Sequence, residues 1–196
     1  MKELYLTILY LEVIIWVLVP VRHYRTRFFW FFLCPSMSGI VTEIIRNYTI
    51  IRNTSLAQFT LMTLGALSII YINKHKTSFA GISVTFFYAF IVFLVHAYDF
   101  GWQVMMFGRA VIAGFTSFEI TKLILQNFIK NREFNLFHFM LITFFTNMTI
   151  TNLSFGLSGD VANNVGFIFF NLFVNFFYGL YFILFREDFR KFIFKV

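Results

Sequence analysis

Seven apolar runs, each about as long as a membrane-crossing helix and parted by short polar gaps, constrain this chain more than any other feature. They cover residues 4–21, 28–45, 55–72, 79–98, 104–128, 134–157 and 164–185. Roughly 20 apolar residues in a helix cross the hydrocarbon core of a bilayer. The gaps read "RHYRTR", "RNYTIIRNTS", "NKHKTS", "YDFGW", "KNRE" and "LSGDVANN". Composition excludes the soluble alternative. Of 196 residues, 59% are hydrophobic, 32 are Phe and only 13% are charged, against about 25% charged in soluble domains. A soluble domain of this size exposes too much surface to hide so much apolar side chain. The expectation is an all-α membrane protein. A seven-transmembrane helix bundle occupies residues 1–185, and a tail follows over 186–196. The first run starts almost at once and lacks a small-residue cleavage site, so it reads as a span and not as a removable leader. Cys34 is the single cysteine, which rules out an internal disulfide.

Charge sets the orientation. Arg22, Arg25 and Arg27, Lys74 and Lys76, Lys130 and Arg132, and Arg186, Arg190, Lys191 and Lys195 all fall on one side of such a bundle. Lys2, Arg46 and Arg52 fall on the other, and Arg109 and Lys122 lie within the fifth run. The excess of basic residues belongs in the cytosol, so the N-terminus is expected outside and the C-terminus inside, in a multi-pass protein of the plasma membrane. Asn47 and Asn53 head two glycosylation sequons in the second gap, on the outer side. Asn147 and Asn152 head two more inside the sixth run, where no glycan can be added.

The tail carries a helical period. Phe185, Phe189, Phe192 and Ile193 fall on one side, with Arg186, Glu187, Arg190 and Lys191 largely opposite. That spacing predicts a short amphipathic helix against anionic cytosolic lipid; the alternative is a plain stop-transfer cluster.

A seventh span leading into such a tail is the pattern of G-protein-coupled receptors. The stretches "FTSFEITKLILQNFIKNREFNLFHFMLITFFTNMTITNLSFGLS" and "FFYGLYFILFREDFRKFIF" resemble nematode serpentine chemoreceptors of the Srx class over residues 104–196, through the fifth, sixth and seventh spans and the basic loop and tail between and after them. The resemblance implies a receptor, diverged or shortened, that binds a small extracellular ligand and signals to a heterotrimeric G protein without a cofactor. Lys74, Lys76, Lys130, Arg132, Arg190 and Lys191 would then face the cytosolic partner, with anionic lipid as the competing account. Three departures stand beside it. The seventh span has Asn175-Phe-Phe-Tyr178 where the wider receptor class has Asn-Pro-x-x-Tyr. The third ends in "IIYINKHKTS", with Lys74 in place of an Asp/Glu-Arg-Tyr arginine. It also lacks the cysteine that commonly ties it to an outer loop.

Ionisable residues within spans are costly and mark function by default. Glu43, His96, Asp99 and Arg109 sit toward the outer ends of the second, fourth and fifth runs, with Trp102 in the gap between the last two. These five form the expected ligand pocket. The alternatives are that the first three reach interfacial water, and that Arg109 pairs structurally with Asp99. Glu12, mid-way along the first run, is expected to face the bundle. Glu119 and Lys122 share a helix face and read as a neutralised pair. His138 reads as an interfacial ring.

Other functions fit less well. A retinal Schiff base needs a lysine in the seventh span, and residues 164–185 contain none. "GLSG" matches an intramembrane serine protease motif, but no histidine follows His138, which lies at the opposite membrane end from Ser158. No metal-binding Cys/His cluster or phosphate-cradling glycine loop is present. The net charge of +7 suits a lipid surface better than nucleic acid. A small transporter or membrane-complex subunit is the competing reading. Transporters break helices near the midplane, and Pro35 with Gly39 supplies one such point.

Overall fold

The computed structural model describes residues 2–48, 54–73, 79–98, 102–158, 165–188 and 193–195. Seven helices are found among them: α1 (Lys2–Arg22), α2 (Phe29–Tyr48), α3 (Thr54–Asn73), α4 (Phe79–Tyr98), α5 (Trp102–Asn131), α6 (Leu136–Ser158) and α7 (Val165–Leu184). A strand β1 (Glu133–Asn135) separates α5 from α6, and a second, β2 (Ile193–Lys195), follows α7. Segments of α4, α5, α6 and α7 are long and apolar enough to cross a membrane, and α2 and α3 carry shorter apolar stretches over Phe29–Ser38 and Leu56–Ile72. This is the make-up of a helical membrane protein.

The helices stop where their sequence stops supporting them. Arg25 and Arg132 take left-handed backbone conformations, φ 66° and 51°, just beyond α1 and at the end of α5. Asn135 then caps α6, its side-chain oxygen accepting from the Phe137 N–H at 2.9 Å. Hydroxyls inside the bundle fold back onto their own helix. Thr63, Thr116 and Thr149 donate to the carbonyls of Phe59, Ile112 and Phe145 at 2.7–2.9 Å, which removes the cost of an unpaired hydroxyl in apolar surroundings.

Packing joins α1 to α2, α2 to α3, α3 to α5, α5 to α6, α6 to α7, and α7 back to α1. The result is a closed ring of six helices, with α4 set against α3 and α5. Two close approaches hold it tight. A methyl group at Gly179 of α7 would lie 2.5 Å from Ile15 of α1, and one at Gly108 of α5 would lie 3.1 Å from the Phe59 ring of α3. Small residues permit such approaches where helices have no hydrophobic drive to associate. Outward faces carry Phe79, Ile82, Phe86, Phe173 and Phe177, all exposed and suited to lipid.

The main core fills one end of the ring. Trp16, Phe28, Phe31, Phe32, Phe137, Phe144, Phe145 and Phe182 are buried together there. Their rings meet edge-to-face or tilted, with Trp16–Phe144 at 5.2 Å, Phe32–Phe182 at 5.0 Å and Phe137–Phe182 at 5.6 Å between centroids. Such pairs add to area burial and fix orientation.

At its described residues, 185–188 and 193–195, the tail departs from the expected amphipathic helix; Phe189 and Phe192 lie outside them. Helical hydrogen bonding ends with the Phe185 N–H on Tyr181 O, residues 187–188 turn, and β2 pairs antiparallel with β1 in the register Glu133↔Lys195, Phe134↔Phe194, Asn135↔Ile193. Asn135 also donates to the Glu187 carbonyl at 3.0 Å. The loop between α5 and α6 offers a free strand edge. Ile193 and Phe194 are strand formers, and pairing with that edge satisfies a backbone that a lone short helix leaves half unpaired.

Candidate ligand-binding cavity

A cavity of about 310 Å³ lies on the axis of the ring. All six ring helices line it: Glu12 and Trp16 from α1, Pro35, Ser36 and Ser38 from α2, Gln58 from α3, Arg109 from α5, Phe144 and Met148 from α6, and Asn175 from α7. Among the described residues α4 contributes no wall. Two smaller spaces adjoin it. One, of about 80 Å³, reaches toward Phe31, Met62 and Gly65; the other, of about 170 Å³, reaches toward Asn147, Thr151 and Asn152. Arg109 borders all three.

The polar groups are arranged in pairs. Arg109 Nη1 donates to Gln58 Oε1 at 2.9 Å and touches Met106 Sδ at 3.7 Å. Its Nε is buried with no hydrogen-bond partner among the described residues. Across the cavity the Glu12 carboxyl is hydrogen-bonded by the Asn175 side chain. Ser36 Oγ donates to Phe32 O at 2.8 Å and also contacts Trp16 O, closing the seam between α1 and α2. Beside Asn175, Asn171 Oδ1 accepts from Thr151 Oγ1 at 2.5 Å and joins α6 to α7. The cavity is therefore apolar on the Trp16, Phe144 and Met148 side and polar where Arg109, Gln58, Glu12 and Asn175 converge, the balance expected of a small-molecule site.

The aromatic core closes one end of this space, and a polar cluster lies beyond it. Glu187 accepts from Arg27 Nε at 2.7 Å, from Arg27 Nη2 and from His138 Nε2 at 2.8 Å. It thus ties the α1–α2 turn to the start of α6 and the end of α7. His138 is not the interfacial ring expected of it. It is 1% exposed, packed on Phe28 and Phe137 at 5.9 and 6.0 Å between centroids, because the turn after α7 covers it. Nearby, His23 Nε2 lies 2.8 Å from the Phe182 carbonyl and so carries the proton. Its Nδ1 is buried without a partner among the described residues.

Burial holds His23 down at about 4. The Phe182 carbonyl and Asp188 pull the other way, and Arg186 and Arg22 add to the depression. The folded state therefore binds fewer protons than the unfolded chain between about pH 6.5 and 4. Stability is full above pH 6.5 and falls as pH drops through that window, by at most about 1.4 kcal/mol per pH unit for one proton. Unfolding in mixed micelles at pH 7, 6 and 5 measures this. In His23→Gln, which keeps a donor for Phe182 O, the slope is expected to flatten.

Of the five residues expected to form the pocket, the structure brings Arg109 to the cavity. His96 is exposed in the last turn of α4, and Trp102, half-buried, opens α5; neither borders the cavities described above. Glu43 lies in α2, with its side chain outside the described residues, as does the whole of Asp99. Arg109 engages Gln58 and Met106 in the described structure. Of the glycan sites, Asn47 falls in α2 and Asn53 lies outside the described residues. Lys130 and Arg132 are exposed at the end of α5, whereas Lys74, Lys76, Arg190 and Lys191 lie outside the described residues. Lys122 Nζ meets Glu119 Oε1 at 2.6 Å and lies over the Phe118 ring at 4.3 Å, the neutralised pair that the spacing suggests. Sequence reasoning about the site passed over Ser36, Ser38, Gln58 and Asn175. Their one signal is a polar side chain inside an apolar run.

No protein family, curated protein or solved structure matches the chain.

Proposed function

We propose that this chain is a seven-helix membrane receptor of the chemoreceptor kind. In this reading all seven helices cross the plasma membrane, with the N-terminus outside and the C-terminus in the cytosol. A small ligand occupies the axial cavity, and the end beyond the aromatic core is cytosolic. One observation carries the reading: six helices each contribute side chains to a single cavity. An occupant that touches six helices has differential contacts with any two arrangements of them, which is what a ligand needs to shift a conformational equilibrium. Trp16 lines the cavity and packs on Phe144 and Phe182. Phe182 packs on Phe137, the neighbour of His138 in the polar cluster. A change at the cavity therefore has a packed route to the cytosolic end, where Lys130 and Arg132 are exposed to a heterotrimeric G protein or to anionic lipid. The transporter reading rests on Pro35, which lines the cavity from inside α2 as helix breaks do at transporter midplanes.

Topology separates the two. A C-terminal tag on the chain expressed in animal cells is expected to become accessible only after permeabilisation. Glycosidase is expected to shift wild type but not Asn47→Gln/Asn53→Gln. A tag exposed on intact cells means an even number of crossings or an inverted bundle, sinks the receptor reading and puts the transporter first.

A further inference from the structure

We propose that the cavity selects a small organic acid whose carboxylate sits on Arg109. The proposal rests on the reading of the cavity as a ligand site and names the chemistry that fills it. Arg109 borders every part of the space, yet its described partners, Gln58 and Met106, are both neutral. Among the described residues it forms no ion pair. The other ionisable group on the wall, Glu12, is held by Asn175. The two differ in one respect that decides the ligand's sign. A carboxyl can be neutral in an apolar span, whereas a guanidinium keeps its charge. An uncompensated cation inside a bundle is costly, and an anion brought in by a ligand offsets that cost. Geometry points the same way. Nη1 is committed to Gln58, while Nε has no partner among the described residues, so the guanidinium keeps donor capacity that a carboxylate in the cavity can take up. Trp16, Phe144 and Met148 line the same space with apolar surface, which suits a compact hydrocarbon or aromatic body behind the acid group. A volume of about 310 Å³ lies at the small end of ligand pockets.

Three probes of nearly equal shape and different charge test this on the full chain in lipid nanodiscs: benzoate, benzamide and benzylamine. Binding is read from the Trp16 emission in a Trp30→Phe/Trp102→Phe background. Benzoate is expected to bind about tenfold or more tighter than benzamide, with benzylamine weakest. Arg109→Gln should remove that preference, and Arg109→Lys should restore it only in part. The wild-type series decides the matter even if the variants fold poorly. Equal affinity for benzoate and benzamide overturns the carboxylate proposal while the ligand site stands. A preference for benzylamine overturns it in favour of Glu12 as the recognition group. If none of the three binds, the ligand-site reading falls with it.

Discussion

Glu187→Gln is expected to lower the unfolding free energy by about 2–3 kcal/mol and to loosen the end of the bundle beyond the aromatic core. The carboxylate accepts from Nε and Nη2 of Arg27 and from His138 Nε2, and its side chain is 18% exposed. Hydrogen bonds to charged groups contribute about 1.5–3 kcal/mol each, and breaking a buried pair costs about 3–5 kcal/mol. Arg27 is 43% exposed, so water recovers part of its loss, and the lower figure applies. Gln keeps the size of Glu but not its charge, so the loss isolates electrostatics from packing. Unfolding by a denaturing detergent in mixed micelles gives the magnitude. Hydrogen exchange at residues 133–135 reports whether β1 lets go of β2. In the double variant Arg27→Gln/Glu187→Gln the second change should cost less than it does alone, since only the His138 contact remains to be lost. Additive losses would mean that the two side chains stabilise separate contacts.

Gly179→Ala is expected to destabilise the bundle by about 2 kcal/mol, and Gly179→Val by more. Two effects oppose. Replacing a helical glycine by alanine gains up to about 1 kcal/mol in water. The new methyl, however, would stand 2.5 Å from Ile15 Cγ2 and 3.4 Å from Trp16 Nε1. Ile15 is buried, and a β-branched side chain has little freedom to turn aside. Overpacking of that kind costs about 1–3 kcal/mol, so sterics win. Ile15→Ala removes the obstructing methyl, and Ile15→Ala/Gly179→Ala is expected to be more stable than the sum of the single losses. Strict additivity in that cycle would show that α1 and α7 do not meet at this point. At Gly166, with nothing within 4 Å of an added methyl, alanine serves as the comparison without a clash, expected to show the propensity gain alone.

The helices were legible because apolar runs and charged gaps follow each other without overlap. The run expected over 79–98 is α4 to the residue, and the others differ by a few residues at their ends, where helices fray and capping decides. The site was harder to read. Charge points to the outer ends, to Glu43, His96 and Asp99, and of the expected pocket residues that are described only Arg109 borders the cavity. Glu12, expected to face the bundle, also lines it; the remaining polar walls are Ser36, Ser38, Gln58 and Asn175, uncharged residues that barely alter the hydropathy of a run. Their common direction depends on how the helices are rotated, which sequence period does not reveal in helices that are apolar nearly all round. The tail misled for another reason. Its helical spacing of Phe and Arg is real, but β1 supplies a partner that no local pattern could disclose.

Ring closure by α1 against α7 also bears on how the protein is made. The ribosome delivers the first helix long before the last, and the amide that holds Glu12 belongs to Asn175, some 160 residues downstream. Until α7 is made, Glu12 therefore lacks its final companion, and the ring keeps an open edge with an unpaired carboxyl in an apolar helix, a costly arrangement. A chain cut short before α7 would display that edge permanently.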